Sequence, residues 1–308
     1  MWRWIQNHLG MAPKQTRRVG VDISGQGLRV VCMHTDSPMT LEAISRRQVP
    51  LRKGTLNGAE IEDFDEVLSQ LRLVVEELGL EGCPAALAFP SMAVRTCALK
   101  PKEYKQWLSR PDEEVTEHLL ERLNLPRGDW SFDWLHHTNG SVSAVVARQE
   151  AVMDRYALAE QAQLKPTVLD LECLATDRVF EWLCQQDGTW PQLWIRLRNG
   201  LLFAHIQIEP DQGVSAVRYC WEMADLSSTL EALLDELSQA CGGLPASATA
   251  VAVRLSGLKD ETPALMDGLV QRWPNAVHLG APDQGVLSLL INDDWSVALG
   301  LVMHPGMR

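Results

Sequence analysis

The stretch VGVDISGQGLRVVCM, from Val19 to Met33, contains the residue types best suited to hold a phosphate. Two apolar runs flank a short turn, which predicts a β-hairpin. Backbone N–H groups at such a turn can point at phosphate oxygens, and glycine lets the chain approach closely. An aspartate beside the turn could hold magnesium, usually through water. The candidate cofactor-binding residues are Asp22, Ser24, Gly25, Gln26 and Gly27, and the candidate metal ligand is Asp22.

Two other interpretations of these glycines need comparison. A dinucleotide fingerprint requires a third glycine at position 30 and then a helix, but Val30 stands there and strand-like residues follow. A plain hairpin fits as well, because many tight turns contain two glycines. No GxxxxGK[ST] loop occurs, which excludes a P-loop. The phosphate hairpin and the plain turn both stay open on these residues alone.

The other polar candidates give weaker signals. Asp170 and Glu172 are predicted to share one face of a strand, as paired carboxylates must for acid–base chemistry, but a helix cap or an ion pair is favoured. His136 and His137 are adjacent on a predicted strand, so they point to opposite faces and do not share a metal. No GxSxG elbow or Cys–His signature occurs. No catalytic residue is therefore assigned.

The elements that must position the hairpin alternate between strands and helices, which predicts an α/β protein. The stretch DFDEVLSQLRLVVEELGL has apolar residues at helical spacing and ends at Gly79. The second half also opens on a strand–turn–strand unit, LWIRL and LLFAHIQI. Two α/β lobes that each open on a hairpin are the outline of a bilobal actin-like fold of the ribonuclease H-like class, where two phosphate hairpins face one nucleotide cleft.

Composition restricts the classes of partner. The net charge of −12 argues against nonspecific binding of nucleic acid. Residues 1–53 nevertheless hold nine Lys and Arg against three Asp and Glu, so this part could face an acidic membrane or partner; a solvated surface is the simpler explanation. The seven cysteines are scattered without a CxxC pair, which favours free thiols in a reducing cytoplasm. No apolar run approaches the roughly 20 residues of a membrane span.

Several short motifs resemble, in the same order, those of the PilM family. These are actin-like, FtsA-related proteins of type IV pilus assembly, with diverged relatives in DNA-uptake machinery. The hairpin is similar to the family's opening Gly-x-Asp-Ile-Gly/Ser-Ser-x-x-Val-Lys. The stretch VSAVVARQEAVMDRYALAEQAQLKPTVLDLECLA resembles its Ala-x-Arg-Lys-Glu-x-Val segment, helix and Val-Asp-x-Glu-x-x-Ala, and VALGLVM resembles its closing Ala-x-Gly-Leu-Ala. The matching residues of the opening are Gly20, Asp22, Ile23 and Ser24, with Arg29 at the usual lysine.

The sequence departs from this family at the other nucleotide motifs. The second phosphate hairpin, near Val-Asp-Ile-Gly in the family, corresponds here to IRLR, where Arg196 replaces the acid and Arg198 the glycine. A cation there could touch phosphate but cannot hold magnesium. The Gly-Gly adenosine loop corresponds to Ser256 and Gly257, the remaining candidate cofactor-binding residues. The resemblance implies ATP with magnesium as the cofactor, and these departures predict that the site is degenerate and ATPase activity weak or absent.

The resemblance also implies a division of the chain. Residues 1–17 are expected to be a flexible N-terminal segment that could contact a membrane or a partner. Residues 18–185 are expected to form the first lobe, with an extra FtsA-type small subdomain at about 82–148. Residues 186–308 are expected to form a reduced second lobe whose C-terminal helix returns to the first lobe.

The function implied by the resemblance is that of a cytoplasmic adaptor, peripherally associated with the inner membrane, in a pilus-like assembly platform. Family members bind the cytoplasmic N-terminal peptide of PilN between the first subdomain and the extra one. A PilN-like peptide is therefore the expected partner, followed by motor or platform proteins and self-association, with no direct contact to nucleic acid. The candidate partner-binding residues are Phe89, Met92, Val94, Thr96 and Ala98.

Two alternatives belong to other classes of protein. The first is an active actin-like ATPase of the same machinery, with Asp22 and either Asp170 or Glu172 positioning metal and water. The second is a sugar-kinase-like phosphotransferase, because sugar kinases share the two-lobed fold, although no catalytic acid of a substrate loop is recognisable. Fold alone does not choose among these activities.

Overall fold

A computed structural model describes most of the chain between residues 17 and 307. The described ranges are 17–25, 27–35, 43–136, 141–187, 192–198, 201–207, 221–222, 231–232, 234–235, 252–256, 262–273, 276–278 and 295–307. They contain two five-stranded sheets, a three-stranded sheet, a two-stranded hairpin and the helices between them.

The first sheet has the strand order β10-β6-β1-β2-β3. Strands β1, β2 and β3 form an antiparallel meander, whereas β6 and β10 run parallel to β1. Val19, Val21 and Ile23 lie on one face of β1 and Gly20, Asp22 and Ser24 on the other, and both β1 and β2 are buried along almost their whole length. The strands are β1 (Arg17–Ser24), β2 (Gly27–His34), β3 (Ile44–Val49), β6 (Pro84–Phe89) and β10 (Lys165–Leu171), and the small hairpin before β6 is β4 (Leu56–Asn57) and β5 (Glu60–Ile61).

The second sheet repeats this arrangement. Its strand order is β13-β12-β11-β14-β15, with β11, β12 and β13 antiparallel and β14 and β15 parallel to β11. Each sheet therefore has an antiparallel hairpin at its centre and parallel strands on one side. The strands are β11 (Gln192–Arg198), β12 (Leu201–Gln207), β13 (Trp221–Glu222), β14 (Ala252–Ser256) and β15 (Val277–His278).

The extra three-stranded sheet has the order β7-β9-β8 and follows the end of β6. It packs against two short helices around a core that includes Trp107, Leu119 and Val146. The sequence did not predict the first of these helices, whose Pro101 stands at its start. The elements are β7 (Arg95–Leu99), α2 (Pro101–Trp107), α3 (Asp112–Arg122), β8 (Trp130–His136) and β9 (Val142–Arg148).

The remaining helices cover the sheets or lie between them. The helical periodicity of α1 is confirmed: its Asp63 cap accepts a hydrogen bond from the Glu66 N–H, and Gly79 ends it with φ +59°. These helices are α1 (Phe64–Leu78), α4 (Gln149–Gln161), α5 (Glu172–Asp187), α6 (Thr262–Arg272) and α7 (Ser296–Val302).

Helices α5 and α7 lie between the two sheets. Helix α7 follows the second sheet in the chain, yet it packs on β1, β2 and β6 of the first sheet and against α5. An apolar cluster joins the two sheets there through Phe180 of α5, Trp194 of β11 and Leu299 of α7. We call the first sheet with its helices the first lobe, and the second sheet with its helices the second lobe.

Candidate functional site

The predicted phosphate hairpin forms, but several residues at its turn pack against other parts of the first lobe. Asp22 and Ser24 are buried on β1, and Gly25 at the turn is exposed. Gly27 has φ +131°, and a Cβ built there would lie 2.5 Å from the Val49 carbonyl oxygen of β3. This glycine is therefore required by the close approach of β3. Gln26 lies outside the described residues.

The carboxylate of Asp22 already has a cationic partner from the second lobe. The Arg198 Nη2 donates a hydrogen bond of 2.6 Å to Asp22 Oδ1 and lies 3.1 Å from Glu172 Oε1. Arg29 Nη1 lies 3.7 Å from the other Asp22 oxygen. All four side chains are almost completely shielded from solvent. Two carboxylates and two guanidinium groups therefore balance their charges inside the cleft.

Glu172 enters this cluster from the first residue of α5, not from a strand. Strand β10 ends at Leu171, so the prediction that Asp170 and Glu172 share a strand face is wrong. Asp170 pairs with Arg178 instead. The first turn of the helix is capped by Ser91, whose hydroxyl accepts a hydrogen bond from the Cys173 N–H at 3.0 Å. Burial raises the pKa of the Glu172 carboxyl; Arg198 opposes this and Asp22 adds to it.

Arg196, the other arginine of β11, is held differently. Its Nη1 donates a 2.6 Å hydrogen bond to the Ser296 hydroxyl at the start of α7. Its guanidinium carbon lies 5.6 Å from the ring centre of Trp194 and 5.4 Å from that of Phe203. The residue is 1% exposed. The aromatic rings and the Ser296 hydroxyl thus contribute to holding this cation between the lobes, and its charge opposes the rise that burial causes in the pKa of Glu172.

Ser256 of the predicted adenosine loop contacts the core between the lobes. Its hydroxyl accepts a 3.0 Å hydrogen bond from the indole N–H of Trp194. The side chain is buried at the end of β14. Gly257 lies outside the described residues, so the loop itself stays a prediction.

The five candidate partner-binding residues lie in different environments. Phe89 is buried in a cluster with Ala147 of β9 and Leu171 of β10, and Val94 packs partly against the same cluster. Met92 is 53% exposed. Thr96 and Ala98 are exposed on one face of the edge strand β7, while Cys97 and Leu99 point into the subdomain core. Their role in binding stays a prediction.

The basic character of the first 53 residues is partly neutralised in the fold. Arg47 pairs with Glu77 at 3.0 Å, and Arg52 pairs with Glu66 at 2.6 Å. Both glutamates lie on α1. Within the described ranges, no helix is long and apolar enough to cross a bilayer. The same ranges contain no group of three or more His, Cys, Asp or Glu side chains placed to hold a metal ion.

Comparison with solved structures identifies the fold. A PilM–PilN type IV pilus biogenesis complex contains a chain that is similar to this one with a TM-score of 0.62 and 18% identity, over 94% of this chain and 98% of that one. A Bacteroides thetaiotaomicron protein with an actin-like ATPase fold is similar with a TM-score of 0.55 and 11% identity, over 94% and 99%. This chain has an actin-like ATPase fold. No protein-family model and no curated protein matches its sequence.

In this actin-like fold the two central hairpins occupy equivalent places, so their residues can be compared. Ser24 pairs with Gly27 at the turn of the first hairpin, and Arg198 pairs with Leu201 at the turn of the second. Counted from these pairs, Arg196 is equivalent to Asp22 and Arg198 to Ser24. The arginine at one turn thus reaches the aspartate of the other hairpin.

Sequence reasoning singled out both hairpins but missed their direct contact. Asp22 and Arg198 are 176 residues apart, and no local pattern pairs them. The available signal was the sequence IRLR: alternating arginines in a short apolar strand need buried partners if both faces of the strand are covered. The contact of Glu172 with Arg198 was also missed, because Glu172 was assigned to a strand and not to the start of α5.

Proposed function

We propose that this chain is an adaptor of a pilus-type inner-membrane assembly platform and that its actin-like cleft has lost effective nucleotide hydrolysis. The observation that carries the second part is the Arg198 guanidinium on Asp22, at 2.6 Å. Magnesium held by Asp22, directly or through water, would have to displace this guanidinium. The displaced Arg198 would then lose both of its carboxylate partners, which is strongly unfavourable for a buried charge.

The adaptor part of the proposal is supported by the likeness to the PilM–PilN complex and by the outer face of the extra sheet. Thr96 and Ala98 of β7 pair in register with Val145 and Ser143 of β9. Ser143 is buried and Val145 packs partly against the Phe89 cluster, whereas Thr96 and Ala98 are exposed, so an extended peptide could lie along the edge of β7. The exposed Met92 adjoins this face in sequence and offers an apolar contact. We infer that this face receives a PilN-like cytoplasmic peptide.

The peptide part can be tested by fluorescence anisotropy with a labelled N-terminal peptide of the PilN-like membrane protein from the same gene cluster. Met92→Asp should weaken binding at least tenfold, because burying a methionine contributes about 1.5–3 kcal/mol. Leu73→Asp is the matched control, since Leu73 is similarly exposed, at 49%, but lies on α1. Equal effects of the two variants, or no peptide binding by the wild type, would contradict the proposal.

The nucleotide part can be tested by thermal denaturation with and without ATP and magnesium. A ligand at 100 times its dissociation constant would stabilise the native state by about 2.7 kcal/mol, which corresponds to a rise of several degrees in Tm. We expect no rise and no ATP-dependent change in peptide affinity. A clear rise with ATP, together with phosphate release, would favour the active ATPase.

A further inference from the structure

Among the described residues, three side chains of the second-lobe hairpin make buried polar contacts with the first lobe and with the helices between the lobes. Arg198 contacts Asp22 and Glu172, and Arg196 contacts Ser296. His205 Nδ1 of β12 lies 2.7 Å from Asp177 Oδ1 of α5. The second-lobe hairpin is therefore tied to β1, α5 and α7 by polar side chains of its own.

The Arg198 contact has the geometry of a cation site. Carboxylate oxygens from two separate elements, β1 and α5, converge on one nitrogen at 2.6 and 3.1 Å. Asp22 is fully buried and Glu172 is 9% exposed. Two carboxylates in this setting repel each other and cannot be solvated, so an empty site would be strongly destabilising. The Arg198 guanidinium supplies the positive charge that this position favours.

We propose that Asp22 and Glu172 form a cation site that the chain fills with its own Arg198, so that a tethered guanidinium holds the two lobes closed without a nucleotide. This inference rests on the proposed loss of nucleotide function and adds what replaces the ligand. The cation comes from the turn of the opposite hairpin, so it bridges the lobes as a bound metal–nucleotide complex would. Closure is then a fixed property of the chain.

Chemical rescue tests the occupancy of this site. Arg198→Ala should lower the Tm by about 6 °C or more. Guanidinium chloride at about 20 mM, far below denaturing concentrations, should restore part of this loss and should not raise the Tm of the wild type. Urea at the same concentration has the same shape without charge, and sodium chloride matches the ionic strength, so neither should restore it. Equal rescue by urea, or an Arg198→Ala variant as stable as the wild type, overturns the proposal.

Arg196→Ala is the matched variant on the same strand. It also removes a buried guanidinium, which donates to the Ser296 hydroxyl and lies over aromatic rings, whereas the Arg198 guanidinium lies 2.6 and 3.1 Å from the two carboxylates. Rescue by guanidinium should therefore be clearly weaker than in Arg198→Ala. Equal rescue in the two variants would show that the effect does not depend on direct contact with Asp22 and Glu172, and would overturn the assignment.

A neutral variant keeps the test decisive if Arg198→Ala does not fold. Glu172→Gln and Arg198→Met together remove one charge of each sign at similar volume and leave Asp22 beside Arg29. This double variant should fold and should respond to guanidinium less than Arg198→Ala does. If it is no more soluble or stable than Arg198→Ala, unbalanced charge is not the cause of the defect and the proposal fails.

Small-angle X-ray scattering tests the closure of the lobes. The radius of gyration of Arg198→Ala should exceed that of the wild type and return toward it with guanidinium, whereas an unchanged radius would overturn the closing role. Failure of this inference is distinguishable from failure of the proposed function. Peptide binding and the ATP response of the wild type decide the proposed function, and guanidinium rescue decides the cation site.

Discussion

Replacement of Gly300 by alanine should destabilise the whole protein, because this glycine lets α7 lie directly against α5. A Cβ built at Gly300 would stand 1.8 Å from the Ala175 carbonyl oxygen and 2.9 Å from the Ala175 Cα. Side-chain Cβ atoms essentially never approach other heavy atoms within 3.0 Å. The two helices must therefore separate by more than 1 Å, and α7 has little room to move away because Gly20 of β1 meets its Ala298 carbonyl on another side.

The magnitude follows from two opposing effects. Alanine favours a helix over glycine by about 1 kcal/mol, which alone would stabilise the variant. Overpacking of a close-packed core costs about 1–3 kcal/mol, and a radial gap of 0.5–1 Å forfeits a quarter to a half of each dispersion contact. The contact here is with rigid backbone, so the upper part of that range applies. We expect a net loss of about 2 kcal/mol in the free energy of unfolding.

Urea denaturation followed by far-UV circular dichroism measures this difference. Gly79→Ala is the control, because a Cβ at Gly79 meets nothing within 4 Å and the change strains only its left-handed conformation, φ +59°. That strain costs about 1–2 kcal/mol and leaves the interface between the lobes intact. Gly300→Ala should additionally increase hydrogen exchange in both α5 and α7, whereas Gly79→Ala should not. A Gly300→Ala protein as stable as the wild type would refute the backbone-clash argument.

Two further predictions concern other buried groups. Arg155 donates hydrogen bonds to the carbonyls of Ala88, Ala59 and Ala151, and burial lowers its pKa to about 10. Because Arg155→Met would leave these carbonyls without that donor, it should reduce the free energy of unfolding by at least about 3 kcal/mol. An unchanged midpoint of urea denaturation would contradict this. Burial lowers the pKa of His304, so the unfolded chain takes up its proton first: this contribution to stability is complete above pH 6.5 and is lost as pH falls through the lower folded pKa. His304→Gln should therefore lose less Tm than the wild type between pH 7.5 and 5.5, and parallel curves would exclude this role.

Local pattern predicted the elements of the first lobe because their residues are set by periodicity and caps. Helix α1 and the hairpin β1–β2 are formed by contacts close in sequence, and both appear as predicted. The small hairpin β4–β5 and helix α2 were missed because their two to seven residues give too short a pattern. Glu172 was placed on a strand because VLDLE continues the alternation of β10, while the helix start depends on Ser91 from another segment.

The sequence allowed the two hairpins of the candidate site to be predicted, but not the contact between Arg198 and Asp22. The likeness of the two hairpins and the arginines in IRLR can be seen in the sequence, and the repeated sheet topology gives them equivalent positions. What the sequence could not provide is the direction of the Arg198 side chain, because it depends on how the lobes pack. The function of Gly27 was also ambiguous, since a close approach to a ligand and a close approach to β3 require the same residue.

Under the proposed function, the contact between the two hairpins explains how a nucleotide cleft can lose its ligand and still stay closed. Replacing a ligand-holding residue by a small neutral one would leave Asp22 and Glu172 buried with no cation when the cleft is closed. An arginine at the equivalent of Ser24 instead supplies the missing charge from within the chain, with Nη2 at 2.6 and 3.1 Å from the two carboxylates. Loss of the ligand and preservation of the closed fold are then one structural change. An adaptor built in this way would present the same partner surface whatever the nucleotide concentration in the cell.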